Sequence, residues 1–203
     1  MNQATGAPGT ARPGGRTARV RGAVLRAAGD ALADKGIGGI DLAEVARRAD
    51  VGKTTVYRRW GTVHGLVADM LAEMAESSQP RADTGTLDGD LSALADLILG
   101  TLTDARQGPL FKALIAAAAS DPEAAAALHR FYRVRIDEWS PCVSAAAARG
   151  DVPAATDPAE VVRALSAPLY YRFLVSGDPL DPDTAKRAAR RGRRAQHVGH
   201  RRA

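Results

Sequence analysis

The sequence predicts an all-α fold with two helical domains. Apolar residues recur at three- and four-residue spacing along most of the 203-residue chain, and alanine dominates the 45% of residues that are apolar. Aromatic residues make up only 4%, and runs of β-branched residues are few, which favours helix over sheet. A chain of this length can bury a core without a metal or a disulfide to hold it together.

The composition argues against a secreted or membrane protein. Cys142 is the single cysteine, so an internal disulfide is excluded and a reducing cytoplasm is expected. No apolar run approaches the roughly 18 residues of a membrane helix, and the first residues lack the apolar core of a signal peptide. The net charge is +5, but residues 181–203 alone carry eight basic and two acidic groups. Basicity by itself is therefore weak evidence for nucleic-acid binding.

The N-terminal part is predicted to contain an irregular arm and a helix. Residues 1–15 are mostly Gly, Pro, Ala and Thr, which predicts a disordered arm. Apolar residues then recur at helical spacing from residue 17. Lys35 and Gly36 provide a basic last turn and a C-terminal glycine, so the first helix is expected over residues 17–35.

A short helix and a tight turn are predicted after residue 40. Asp41 is suited to cap the helix, and Glu44 follows three residues later in the capping-box arrangement. Asp50, Val51 and Gly52 form the turn, because Asp50 tolerates a left-handed backbone and Gly52 can open the next helix.

A second short helix is predicted from Lys53 to about Trp60. Val56 and Trp60 are four residues apart and form its inward side. The outward side consists of small hydroxyls, a tyrosine and cations: Lys53, Thr54, Thr55, Tyr57, Arg58 and Arg59. Threonine can approach base edges or the thymine methyl, whereas the longer side chains reach phosphate or guanine. A solvated helix face is the alternative interpretation of the basic residues.

Several longer helices are predicted beyond this pair. Apolar spacing marks them over residues 63–77, 91–106, 109–119, 121–149 and 157–177. Asp-Pro pairs at 121–122 and 157–158 give an N-cap followed by proline at the first helical position. Pro141 is expected to kink or split its helix. A polar stretch at 78–89 suggests a boundary between a domain over 16–78 and a domain over 79–183.

Residues 184–203 are predicted to form a basic tail without a core-facing stripe. Three interpretations stay open: a solvated extension, an auxiliary phosphate-binding arm, and an altered terminus in which the original final helix was lost. His197 and His200 have the spacing of metal ligands, but no Cys or carboxylate partner stands near them. No metal and no cofactor are expected.

The order of these elements resembles the DNA-binding domain of the TetR family of transcriptional regulators. The resemblance covers about residues 16–74 and rests on the stretch LAEVARRADVGKTTVYRRW. A later segment, APLYYRFLVSGDPLD at 167–181, is similar to part of the C-terminal domain in one group of these regulators. The resemblance implies an all-α homodimer. Its N-terminal helix-turn-helix domain of three helices binds a palindromic double-stranded DNA operator, and its C-terminal helical domain supplies the dimerisation surface and usually a ligand pocket.

Carried over by position, the resemblance implies a set of DNA-binding residues. Thr54, Thr55 and Tyr57 match the DNA-contacting helix. The full predicted set is Arg16, Asp41, Leu42, Gly52, Lys53, Thr54, Thr55, Tyr57, Arg58, Arg59 and His64. The sequence departs from the family pattern at Gly52, where a hydroxyl cap is usual, and at Val63, where a lysine is usual. His64 could partly replace that lysine, but an exposed neutral histidine is the expected state.

An apolar ligand pocket is expected among the later helices, where most aromatic residues lie. Its predicted lining is Phe111, Phe131, Tyr132, Trp139, Tyr170 and Tyr171, although aromatics at helical spacing are more often core. The expected function is a repressor that a small apolar ligand releases from its operator. The alternative is a ligand-independent or architectural DNA-binding protein. An enzyme is not expected, because no nucleophile and base pair or phosphate-binding loop is recognisable.

Overall fold

Helices account for the regular structure of the chain. The computed structural model describes residues 15–76 and 83–195, and across these ranges it contains no β-strand. The helices are α1 (Gly15–Lys35), α2 (Leu42–Arg48), α3 (Lys53–Trp60), α4 (Val63–Glu76), α5 (Leu87–Thr103), α6 (Gln107–Ser120), α7 (Pro122–Arg149), α8 (Pro158–Tyr171) and α9 (Pro182–Arg194). A 3₁₀ turn (Ile37–Gly39) follows α1, and a π-helical turn (Arg172–Ser176) continues α8.

The apolar side chains form two cores, which share α7. The first core joins α1, α2, α3 and α4 to α6 and to the N-terminal half of α7, as far as Phe131. The second core joins α5, α8 and α9 to the C-terminal half of α7, from Trp139 onward. Phe173 packs against both cores. The four N-terminal helices therefore do not pack alone, since α6 and α7 complete their core.

The prediction of a tail without a core-facing stripe from residue 184 is wrong for the described part of that segment. Residues 182–194 form α9, and its Thr184, Ala185, Ala188, Ala189 and Gly192 are buried against α5 and α8. Small residues suffice because the helices lie very close together. A Cβ atom on Gly192 would lie 2.9 Å from Cβ of Leu165.

The sequence contains the start signal of α9. The Asp181 carboxylate accepts a hydrogen bond from the Thr184 backbone N–H at 2.7 Å, and Pro182 is the first residue of the helix. This is the same Asp-Pro arrangement that begins α7 and α8, where Asp121 and Asp157 are the caps. The Asp-Pro start signal of α9 is therefore present in the sequence. The buried side of α9 consists of alanines and other small residues, which the spacing of large apolar residues does not reveal.

Other boundaries differ by a few residues. Helix α5 begins at Leu87 rather than near residue 91, because Thr86 caps it by accepting a hydrogen bond from the Gly89 N–H. Helix α7 runs through Pro141 without being split, and the exposed proline lies within the helix. Gly177 ends the α8 segment in the left-handed conformation with φ 69°, as the sequence indicates.

Some predictions fall on residues that the structure does not describe. The arm, the linker at 77–82 and the two histidines of the C-terminus lie outside the described residues, so the division at 78 stays a prediction. Within the described ranges, no helix is both long and apolar enough to cross a membrane. The same ranges contain no cluster of His, Cys, Asp and Glu that could hold a metal ion.

Candidate DNA-binding interface

The turn between α2 and α3 follows the sequence prediction. Asp41 caps α2 by accepting a hydrogen bond from the Glu44 backbone N–H at 2.8 Å. The Glu44 carboxylate pairs with Lys35 at 2.7 Å and with Arg48 at 3.0 Å, so α2 is also tied to the end of α1. Asp50 has φ 53°, the left-handed conformation expected at this position.

Two side chains hold α3 against the body of the protein. Val56 is fully buried and Trp60 is 8% exposed, and both belong to the first core. Gly52 precedes the helix and provides no side-chain cap. Because α3 has only eight residues, these two inward contacts fix which of its side chains face solvent.

The outward side of α3 carries the predicted DNA-contacting groups. Tyr57 is 48% exposed, although large aromatic side chains are usually more buried than this. Lys53, Thr54, Arg58 and Arg59 are exposed as well, and Thr55 is half-buried.

A groove runs along one flank of this helix. It has a volume of about 480 Å³, and Thr55, Arg58 and Arg59 line it together with Thr17 and Val20 of α1 and the turn residues Asp50, Val51 and Gly52. Hydroxyls and guanidinium groups thus lie side by side on an exposed surface. Such groups can donate hydrogen bonds to phosphate oxygens and to base edges.

Two residues of the predicted set, Leu42 and His64, are more buried than expected, and the prediction for a third, Arg16, is not tested. The side chain of Leu42 is buried, so only its backbone at the start of α2 can reach a ligand. His64 is half-buried and its Nε2 atom is enclosed, whereas an exposed histidine was expected. The backbone of Arg16 lies in α1, but its side chain is outside the described residues.

Sequence reasoning missed an acidic residue behind α3. Asp69 of α4 accepts a hydrogen bond from the Trp60 indole Nε1 at 2.9 Å and one from Arg21 Nη2 of α1 at 2.7 Å. Burial raises the pKa of this carboxyl, but the hydrogen bonds from Arg21 and Trp60 outweigh burial and hold the pKa of Asp69 below its ordinary value. The three residues come from three helices, and no periodic pattern links them.

Two segments of the chain match known protein families. Residues 24–70 match the family described as bacterial regulatory proteins of the tetR family, and residues 81–191 match the tetracyclin repressor-like C-terminal domain. The chain belongs to the TetR family of transcriptional regulators. It is therefore a DNA-binding regulator, and α2 and α3 are the helix-turn-helix of its N-terminal domain.

Individual transcriptional regulators resemble the chain over most of its length. The regulator AqdR of Rhodococcus erythropolis is 33% identical over 159 residues, which cover 74% of this chain and 75% of that protein. The crystal structure of the TetR family transcription regulator SCO0332 superposes with a TM-score of 0.67 at 27% identity, covering 84% of this chain and 94% of that one. NalD, the secondary repressor of the MexAB-OprM multidrug efflux pump in Pseudomonas aeruginosa, has a TM-score of 0.59 at 25% identity, covering 89% and 96%.

The aromatic residues of the TetR-family C-terminal region do not all meet in one place. Phe111, Phe131, Tyr132 and Tyr170 form a continuous row, with successive ring centroids 5.9, 5.2 and 5.5 Å apart. Burial raises the pKa of both Tyr132 and Tyr170, so their hydroxyls stay protonated. Two predicted members lie elsewhere, since Trp139 is in the second core and Tyr171 is 59% exposed.

Proposed function

We propose that this TetR-family regulator is a homodimeric repressor that binds a palindromic operator and leaves it when a small apolar ligand binds. The observation that carries the DNA-binding part is the orientation of α3. Val56 and Trp60 are buried, and Tyr57 and the hydroxyls and cations around it face outward. A helix presented in this way fits the major groove, where direct base contacts give sequence specificity.

The roles of the individual residues follow from their reach. Thr54 and Thr55 are short and suit base edges or the thymine methyl. Lys53, Arg58 and Tyr57 are longer and suit phosphates on either side of the groove.

A second copy of the chain is proposed to bind at the end of α8. Tyr171, Leu174 and Val175 are 59%, 42% and 69% exposed and follow one another along α8 and the π-helical turn. The outer side of α9 is a poor alternative. It carries Lys186, Arg187, Arg190, Arg191 and Arg194, so two copies would bring like charges together. In a dimer that reads two half-sites, the two α3 helices lie roughly 34 to 36 Å apart.

The proposed ligand site is the region between the two cores, around Tyr132 and Tyr170. Tyr132 packs against the first core and Tyr170 against the second, and their rings meet edge to face. A small apolar molecule inserted there would change how the cores pack on each other. For control, it must bind the DNA-free arrangement more tightly, by about 1 to 3 kcal/mol in typical cases.

Two further proposals rest on the family and on composition. Repression is supported by NalD, which is described as a repressor and is 25% identical to this chain. A cytoplasmic site of action is proposed because the target is chromosomal DNA and the sequence has a single cysteine, which is too few for an internal disulfide.

The test begins with the DNA that flanks the gene. Purified full-length protein should protect a palindrome there in a footprinting experiment. Its affinity for that duplex should exceed its affinity for a scrambled duplex at every salt concentration of a series, typically by 10³-fold or more. Equal affinity for the two duplexes, with the same steep salt dependence, would instead identify the architectural alternative.

The dimer and the ligand require separate measurements. Light scattering should give twice the mass of the chain, and Leu174→Arg with Val175→Asp should shift it toward the mass of one chain. A panel of small apolar molecules should include one that releases the operator. A response to such a molecule that persists in Tyr132→Ala would show that the ligand binds somewhere else.

A further inference from the structure

We infer that Asp69 is a positioning residue that sets the orientation of α3 through a hydrogen bond to Trp60. This inference rests on the proposed role of α3 as the DNA-reading helix. Trp60 is the last residue of α3, and Asp69 lies in the middle of α4. The indole Nε1–H of Trp60 donates to Oδ2 of Asp69 at 2.9 Å.

The carboxylate of Asp69 is itself held in place from α1. Arg21 donates from Nε to Oδ1 at 3.2 Å and to Oδ2 at 3.0 Å, and from Nη2 to Oδ1 at 2.7 Å. The same Nη2 also donates to the backbone carbonyl of Asp69 at 3.3 Å. A planar guanidinium bound in this way leaves the carboxylate little rotational freedom. The acceptor that Trp60 meets is therefore fixed in direction as well as in position.

The direction matters because little else orients α3. Its inward side consists of Val56 and Trp60, and its first turn has no side-chain cap. Apolar contacts are not directional, so they determine which side of the helix faces the core but fix its exact rotation about its own axis less tightly. A hydrogen bond to the single donor of an indole ring is directional and adds that constraint. Base contacts require side chains to be placed within about 0.5 Å, which makes a rotational constraint valuable.

A cation also lies over the ring of Trp60. The guanidinium carbon of Arg59 lies 5.2 Å from the centre of the Trp60 ring. Arg59 belongs to the predicted DNA-binding set, and its guanidinium lies over the same ring that Asp69 orients. A change in the tilt of the indole would move Arg59 as well.

The chain offers a matched control for the charge of Asp69. Glu73 lies one turn further along α4 and accepts a hydrogen bond from Nη1 of the same Arg21 at 3.4 Å. Glu73→Gln therefore removes a negative charge from the same helix, beside the same arginine. It leaves Asp69, the acceptor for the Trp60 indole, unchanged. Asp69→Leu removes the acceptor, Asp69→Asn keeps one oxygen that can accept, and Trp60→Phe removes the donor while retaining an aromatic ring.

The experiment compares these full-length variants on the footprinted operator and on a scrambled duplex, with thermal unfolding and light scattering measured in parallel. We expect Asp69→Leu and Trp60→Phe each to lower the operator affinity about tenfold and the scrambled-duplex affinity less than twofold. The double variant should lose no more than the worse single variant, because both changes remove one interaction. Asp69→Asn should recover most of the loss, and Glu73→Gln should stay within twofold of wild type.

Several results would overturn the inference. One is an unchanged ratio of operator to scrambled affinity in Trp60→Phe, which keeps the ring and so retains most of the core contact. Another is a loss in Glu73→Gln equal to that in Asp69→Leu, which would show that only the charge on α4 matters. Equal affinity of the wild-type protein for both duplexes is a different outcome, because it contradicts the proposed function itself and removes the basis of this inference with it.

Discussion

Helices α3 and α9 are both rich in arginine, but their inward sides differ. Helix α3 uses Val56 and Trp60, whereas α9 uses alanines and Gly192. Their outward sides differ as well. Around its arginines α3 exposes Lys53, Thr54 and Tyr57, while α9 exposes mainly cations, some of which pair with nearby acids, as Lys186 does with Asp183 at 3.1 Å. Positive charge alone therefore does not distinguish α3 from α9. The mixture of exposed hydroxyls and an exposed aromatic ring is what distinguishes α3.

The largest effect is expected where α9 lies closest to its neighbour. Gly192→Val would place a Cβ atom 2.9 Å from Cβ of Leu165 and 3.2 Å from the Val161 carbonyl oxygen. Overpacking of this kind lowers the free energy of unfolding by about 1 to 3 kcal/mol. Chemical denaturation measures the change. The control is Gly100→Ala in α5, where a Cβ atom meets nothing within 4 Å. It should raise stability by about 0.5 to 1 kcal/mol, and a loss in both variants would contradict the close-packing explanation.

A smaller effect, on binding rather than stability, is expected at the outward side of α3. Thr55→Ala and Tyr57→Phe should each lower operator affinity about 5- to 30-fold, which corresponds to about 1 to 2 kcal/mol. Thermal unfolding and the mass in solution should not change, because Tyr57 is 48% exposed and neither change removes a large buried group. Titration of labelled operator gives the affinities. Wild-type affinity in both variants would show that a different surface contacts the DNA.

The carboxylate behind α3 predicts a modest dependence of stability on pH. The pKa of Asp69 in the folded protein is lower than the ordinary value of 3.8. Its contribution to stability is therefore fully present above that ordinary value, and it is lost as the pH falls through the folded pKa. The stability difference between wild type and Asp69→Asn should be constant from pH 7 to 5 and should shrink below about pH 4. A stability difference between the two proteins that grew as the pH fell would contradict this prediction.

The smallest effect is expected on the outer side of α9. Arg190, Arg191 and Arg194 form no ion pair with the described part of the chain. Changing all three to Gln should alter the ratio of operator to scrambled affinity by less than about twofold, since general attraction to phosphate carries no sequence information. Stability should change by no more than about 0.5 kcal/mol. A fall in this ratio like that of the α3 variants would remove the distinction between the two helices.

Local rules were sufficient for the helix-turn-helix. Asp41 caps α2, Asp50 adopts a left-handed backbone and Trp60 is buried, and each follows from properties of one residue and its near neighbours. Contacts between distant segments were not predictable in this way. Asp69 meets an arginine 48 residues earlier in the chain, and the docking of α9 depends on how closely two helices approach each other.

The aromatic residues of the later helices show a related limit. Composition correctly indicates where the aromatic residues are concentrated, but it does not tell which rings meet. Tyr170 joins the row of aromatic rings, while its neighbour Tyr171 points to solvent, because adjacent residues of a helix face directions about 100° apart. Which of the two tyrosines is buried depends on how the helix packs against a second helix.

Helix α4 is tied at two points. At the first point, Asp69 accepts a hydrogen bond from the indole N–H of Trp60. At the second, Arg135 of α7 donates from Nη2 to the carbonyl oxygens of Met74 and Ala75, at 2.8 and 3.2 Å. These carbonyls belong to the last turn of α4 and have no partner within the helix itself. Helix α4 therefore links α7 to the C-terminal end of α3. A displacement of α7 relative to the N-terminal helices would either break the hydrogen bonds from Arg135 to the end of α4 or move α4 as a unit, together with Trp60.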